Sequence, residues 1–124
     1  MSAMRAIWVG VAGFFGAVSR YSLGLAITRV NRTEFPWGTL AINISGSFLL
    51  GFTFALMTER FHANPTLRIA LTVGFLGAYT TFSTFTFETL EMIERGAIAT
   101  AVGYILASVV PGIVAVWLGA RLAG

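Results

Sequence analysis

Along the chain, apolar residues gather into four long runs, at about residues 3–30, 38–57, 67–94 and 97–122, parted by short polar stretches at 31–37, 58–66 and 95–96. Each run is long enough to cross a bilayer core as a helix, for which about 20 apolar residues suffice. An isolated strand in that setting would leave its backbone unsatisfied, so the runs read as helices. Pro36 and Pro65 fall just before the second and third of them, where a missing N–H costs nothing. The pattern predicts an all-α chain forming one four-helix transmembrane unit over residues 1–124.

Polar residues inside the runs are few and periodic. The second run sets Thr39, Asn43, Ser47 and Gly51 at successive i, i+4 positions, a single polar stripe on an apolar helix. The fourth repeats the spacing with Thr100, Tyr104, Ser108 and Gly112, and Pro111 is expected to kink it. Amides and hydroxyls at membrane depth must find partners, so each stripe is either a row of interhelical hydrogen bonds or the lining of a path. The first run places Gly10, Gly13, Ala17 and Gly24 near one face, small residues that let helices approach closely in lipid. Arg20 lies on the same helix. A guanidinium inside a span is costly, so Arg20 either snorkels to the interface or stands as a fixed positive charge in an anion-attracting vestibule.

The third run departs furthest from a plain span. From Gly74 to Glu88 it reads Gly-Phe-Leu-Gly-Ala-Tyr-Thr-Thr-Phe-Ser-Thr-Phe-Thr-Phe-Glu, with the hydroxyls of Thr80, Thr81, Ser83, Thr84 and Thr86 threaded among phenylalanines. Its alternation and β-branching suggest a strand until the solvent is considered. What survives in lipid is a helix interrupted near residues 77–81, with free carbonyls at the end of its first half and free N–H groups at the start of its second. Beyond the interruption Phe82 and Phe85 stand three apart on one face, either as core aromatics or as ring edges turned to a path.

Composition narrows the chemistry. The chain is 56% hydrophobic and 10% charged, with a mean hydropathy of +0.82, too apolar for a domain of 124 residues to hide within itself. Without cysteine, and with His62 alone in a connecting stretch, thiol and zinc chemistry have no ligands. All eight basic residues are arginines, scattered along the chain, so the net charge of +3 forms no block that could grip nucleic acid. The first run is long, glycine-rich and followed by further spans, and is expected to be retained rather than cleaved as a signal. No Ser-His-Asp set, paired in-membrane carboxylates or phosphate-cradling loop offers an enzyme its residues, and Glu88, Glu91 and Glu94 cluster toward the end of the third helix.

Loop charges bear on orientation. Arg5, Arg60, Arg68 and Arg121 lie on one side and Arg29, Arg32 and Arg95 on the other, a difference of one, so the positive-inside rule gives almost no instruction. Either another feature fixes one orientation, or both are inserted and an antiparallel dimer becomes possible.

Three segments carry a resemblance: Gly16-Ala17-x-x-Arg20-Tyr21, Pro36-Trp37-Gly38-Thr39-Leu40-x-x-Asn43-x-x-Gly46, and Gly74-Phe75-Leu76-Gly77-Ala78-x-Thr80-Thr81-Phe82-Ser83-Thr84-Phe85. Together they resemble the Fluc/CrcB fluoride channels. That resemblance implies a dual-topology antiparallel homodimer with a broken third helix, two fluoride pores and a central structural sodium ion. It also implies the lipid of a prokaryotic plasma membrane, the inner membrane if the source is Gram-negative. On this sequence Asn43 would be the pore amide, Phe82 and Phe85 the phenylalanines facing fluoride, and Tyr104 and Ser108 the polar residues of the fourth helix, with Thr39, Thr81 and Thr84 beside them. Arg20 would be the vestibule charge, and the backbone carbonyls of Gly77 and Thr80 would hold sodium. Ala78 stands where the family usually has a second glycine, and Gly112 where it can have a hydroxyl residue.

The competing class is a small proton-coupled multidrug exporter, also four-helix and often antiparallel. It needs a titratable carboxylate deep in a span. Here there is no Asp, Glu34 and Glu59 are in or beside loops, and Glu88 is read as a turn or two from a helix end. A subunit that only packs on a larger partner is the third class, and its stripes should be small rather than mixed with polar residues.

Overall fold

The computed structural model describes residues 2–124, and every element in it is helical. Four helices are long and apolar enough to cross a membrane: α1 (Ser2–Val30), α2 (Trp37–Arg60), α3 (Pro65–Glu94) and α4 (Ile98–Ala123). The chain is thus a multi-pass membrane protein, and the spans begin and end within three residues of the sequence expectation. Large apolar side chains such as Phe14, Ile113, Trp117 and Leu122 point outward, as lipid permits and water would not.

Local chemistry sets the ends. Asn64 accepts a hydrogen bond from the Thr66 N–H at 2.7 Å, with Pro65 as the first helical residue of α3. At the other end of α3, Gly96 has φ +82°, the Gly96 N–H reaches Ile93 O at 3.0 Å and the Ala97 N–H reaches Met92 O at 2.8 Å. This is a Schellman closure, which needs a residue without Cβ at that position, and it turns the chain directly into α4. The same helix carries two departures from α geometry. Ala70–Leu76 is π-helical, and Thr80 and Thr81 are extended (φ −86°, ψ 159° and φ −148°, ψ 124°) before Phe82–Glu94 continues as α-helix. Gly77, expected to leave helical geometry, is helical at φ −62°, ψ −38°, so the extended backbone is confined to the two threonines. The last turn of α2, Leu56–Arg60, is also π-helical.

Packing follows small residues. α2 and α4 pair most extensively, and a Cβ at Gly51 would lie 2.1 Å from Val116 O while one at Gly119 would lie 2.2 Å from Phe48 O. α1 lies against 70–79 of α3, where Gly16 meets Phe75 O and Gly74 meets Val9 O. The stripe expected on α1 is therefore partly misplaced: Gly10 has nothing within 4 Å, Gly13 and Gly24 make ordinary contacts, and Gly16 makes the close one. α4 runs as one helix through Pro111. Two apolar clusters result, one of Leu40, Phe85, Met92, Ala101 and Tyr104, the other of Ile42, Leu76 and Tyr79.

Candidate functional site

The extended pair in α3 forces a backbone accounting. Continuing a helix through it would have sent the N–H groups of 81–84 to the carbonyls of 77–80. Instead the Thr81 N–H donates to Asn43 Oδ1 at 2.8 Å, and Asn43 Nδ2 donates to Thr81 O at 2.9 Å. The Thr84 N–H donates to Thr81 Oγ1 at 3.2 Å, an N-cap on the second half of α3. Arg20 Nε donates to Ala78 O at 3.0 Å, so the arginine expected either to snorkel or to line a vestibule holds a carbonyl that the helix has released. The carbonyls of Gly77 and Thr80 and the N–H groups of Phe82 and Ser83 have no partner recorded among the described residues.

Two cavities adjoin Thr81. The first, about 300 Å³, is lined by Asn43, Ser47, Gly77, Thr80, Thr81, Phe82, Phe85 and Ser108. The second, about 310 Å³, is lined by Arg20, Thr28, Thr39, Thr81, Thr84 and Glu88. Thr81 belongs to both, and Asn43 clasps its backbone. Ser108 Oγ is buried without a hydrogen-bond partner among the described residues, an uncommitted donor beside the first cavity.

The site residues expected from sequence therefore fall into groups. Asn43, Phe82, Phe85, Ser108, Thr81 and the two carbonyl residues meet at the first cavity, while Thr39, Thr84 and Arg20 meet at the second. Phe82 and Phe85 are neighbours, with centroids 6.0 Å apart, but Phe82 is 76% exposed whereas Phe85 is buried. Tyr104 lines neither cavity. It is fully buried, sets its ring against Phe85 at 5.0 Å in a T-shaped contact, and donates its hydroxyl to Glu88 Oε1 at 2.8 Å.

Glu88 was missed by sequence reasoning. Placed there among the helix-end acids, it instead turns into the second cavity, where Thr39 Oγ1 donates to Oε2 at 3.0 Å and Tyr104 to Oε1. The signal was available: Thr81, Thr84 and Glu88 recur at helical spacing on the face that carries the cap. Gly46, quoted only within a motif, is also required. A Cβ there would lie 2.3 Å from Thr80 Cγ2 and 3.0 Å from the Tyr79 ring.

Residues 7–120 match the model of the family described as CrcB-like protein, Camphor Resistance (CrcB). The chain is 45% identical over 116 residues to a protein of Acidobacterium capsulatum, covering 94% of this chain and 93% of that one. It is 43% identical over 120 residues to a protein of Solibacter usitatus, covering 97% and 98%, and 43% identical over 122 residues to one of Hahella chejuensis, covering 98% and 96%. Each of these three relatives bears the name Fluoride-specific ion channel FluC.

Proposed function

The chain belongs to the CrcB-like family, and on that premise we propose that it is a fluoride-selective channel. It passes fluoride down its gradient out of a prokaryotic cytoplasm, across the plasma membrane, and so lowers fluoride toxicity; it transports and performs no enzymatic chemistry. The observation that carries this reading is the Asn43–Thr81 clasp at the meeting of two cavities, one lined by Arg20 and Glu88 and one by no charged side chain. Fluoride is small and tightly hydrated, so its water must be replaced by donors. Arg20 draws the anion into the wider electrostatic field of the second cavity. Beyond Thr81 the lining offers the Ser108 hydroxyl, the N–H groups that open the second half of α3, and the positive edges of the Phe82 and Phe85 rings. No full charge stands there to hold the ion too tightly for it to leave. Liposomes containing only the purified protein should release fluoride and retain chloride without a proton gradient. Release of both anions, or of neither, contradicts the proposal; release that requires a proton gradient would favour the exporter class, for which Glu88 is the carboxylate at hand.

The channel is proposed to work as an antiparallel homodimer inserted in both orientations. The near balance of loop arginines supports dual insertion. The exposure of Gly77 and Phe82 on the wall of the first cavity supports a partner chain there. Adding two or three arginines to the loop at 31–36 should force one orientation and abolish flux, with recovery when an oppositely biased form is co-expressed. Flux from either biased form alone contradicts the antiparallel arrangement.

A sodium ion on the dimer axis is proposed to tie the two chains together without being transported. The fit rests on chemistry: the carbonyls of Gly77 and Thr80 have no recorded partner among the described residues and lie beside one cavity, the hard oxygen donors such a cation takes. Within one chain a Cβ at Gly77 meets nothing closer than Thr72 O at 3.8 Å, and its backbone is helical, so Gly77→Val should fold. It should nevertheless fail to dimerise, because the added side chain crowds the facing chain, while Thr80→Ser should be nearly silent. A Gly77→Val dimer of unchanged stability, or dimers indifferent to replacing sodium by a bulky organic cation, contradicts the sodium site.

A further inference from the structure

We propose that Phe35, a loop residue, is a positioning residue of the anion path that acts through Tyr104. The inference rests on the channel reading and concerns how the carboxylate of Glu88 is kept from repelling the anion. Phe35 lies in the connection between α1 and α2, yet its place is fixed from both sides. Asn31 Nδ2 donates to Phe35 O at 2.8 Å and the Trp37 N–H donates to the same oxygen at 2.9 Å. Asn31 is held in turn by the Thr33 N–H at 3.0 Å and the Thr33 hydroxyl at 2.8 Å on its Oδ1. These bonds hold the Phe35 backbone, and the ring itself is placed by its contacts with Trp37 and Tyr104.

From that ring an aromatic ladder runs inward. Phe35 packs against Trp37 at 4.6 Å and meets Tyr104 in an 81° edge contact at 5.4 Å; Tyr104 meets Phe85 at 5.0 Å, and Phe85 meets Phe82 at 6.0 Å. Tyr104 is thus gripped by rings on two sides, and both grips use the ring geometry that aromatic quadrupoles favour. A gripped ring can aim its hydroxyl in one direction only, which here is Glu88 Oε1 at 2.8 Å. With Thr39 on Oε2 at 3.0 Å, both carboxylate oxygens are committed to hydroxyl donors, Thr39 at the wall of the second cavity and Tyr104 buried behind it. Glu88 and Arg20 line the same cavity. A carboxylate that lost its Tyr104 donor would be free to turn toward Arg20, cancelling the positive charge and repelling an entering anion. Phe35 lines neither of these two cavities but shares a third with Glu88, so the contribution assigned to the tyrosine is the part of its effect that disappears when the Tyr104 hydroxyl is removed.

The test is fluoride efflux from liposomes reconstituted with wild type, Phe35→Leu, Phe35→Tyr, Tyr104→Phe and the Phe35→Leu/Tyr104→Phe double variant, each with its thermal unfolding midpoint in detergent. Phe35→Leu keeps apolar bulk but removes the ring edge. It should raise the fluoride concentration for half-maximal efflux about fivefold, leaving the maximal rate per reconstituted dimer unchanged. Phe35→Tyr retains the ring and should lie within about twofold of wild type. In the Tyr104→Phe background there is no hydroxyl left to aim, so adding Phe35→Leu should change the half-saturating concentration by less than about 1.5-fold. The proposal is overturned if Phe35→Leu behaves as wild type, if it lowers only the maximal rate in step with its unfolding midpoint, or if its effect is unchanged in the Tyr104→Phe background. If Phe35→Leu does not reconstitute, Phe35→Met takes its place under the same criteria. Wild-type liposomes that release no fluoride would instead overturn the channel reading beneath it.

Discussion

Asn43→Asp is expected to end fluoride passage. Its amide does two things at once: Oδ1 accepts from the Thr81 N–H at 2.8 Å and Nδ2 donates to the Thr81 carbonyl at 2.9 Å. A carboxylate can take over the first bond but turns an acceptor on the carbonyl that the amide had satisfied. One lost hydrogen bond and one buried acceptor left facing another cost about 1–3 kcal/mol in placement of the extended pair. The anion path is affected more strongly still. A unit negative charge at the junction of the two cavities opposes fluoride by several kcal/mol at roughly 4 Å and an effective dielectric near 20, so flux should fall at least about a hundredfold. Asn43→Leu separates the effects, since it removes the clasp without adding charge, and should retain more flux than the aspartate. Liposome efflux at fixed fluoride, normalised to protein that elutes as wild type in detergent, decides it. Flux within a fewfold of wild type in the aspartate form would remove Asn43 from the path.

How much of this could be read before the structure differs by level. The four spans were legible because lipid enforces a strong pattern: length, apolarity and internal hydrogen bonding must coincide. The polar stripe of α2 was legible as a stripe, and Asn43 and Thr39 do reach cavities. What it bonds to was not legible, because periodicity gives the face of one helix and says nothing of the neighbour. Asn43 finds a backbone rather than another side chain, and Arg20 likewise finds Ala78 O across 58 residues of sequence. Glu88 was misread for the same reason. Counting from the helix end gives its distance from Glu94 correctly, but not that Tyr104 and Thr39, from two other helices, bond its carboxylate. Glycines were the opposite failure. Their spacing suggested a stripe, but only a three-dimensional fit distinguishes Gly16, which is pressed on a carbonyl, from Gly10, which faces nothing.

That contrast sets up the second large effect, Gly16→Ala. A Cβ at Gly16 would sit 2.1 Å from Phe75 O and 3.0 Å from Phe75 C, backbone atoms that cannot rotate away. α1 must therefore withdraw by about 1 Å to regain van der Waals distance, and overpacking of this kind costs roughly 1–3 kcal/mol. The consequence does not stop at stability, because Arg20 is one turn further along the same face of α1. Its Nε now reaches Ala78 O at 3.0 Å, and a withdrawal of about 1 Å puts that bond beyond useful range. The released carbonyl loses its only recorded donor, and the second cavity loses the fixed position of its positive charge. Gly16→Ala should thus lower both the unfolding temperature and fluoride flux. Arg20→Gln should reduce flux, with a smaller loss of stability, because the helices remain in contact. Gly10→Ala, on the same helix with nothing within 4 Å, should change neither. Measuring unfolding and efflux for the three variants separates a packing effect from one transmitted through Arg20. Wild-type flux in Gly16→Ala would mean that α1 is not what holds the arginine on Ala78.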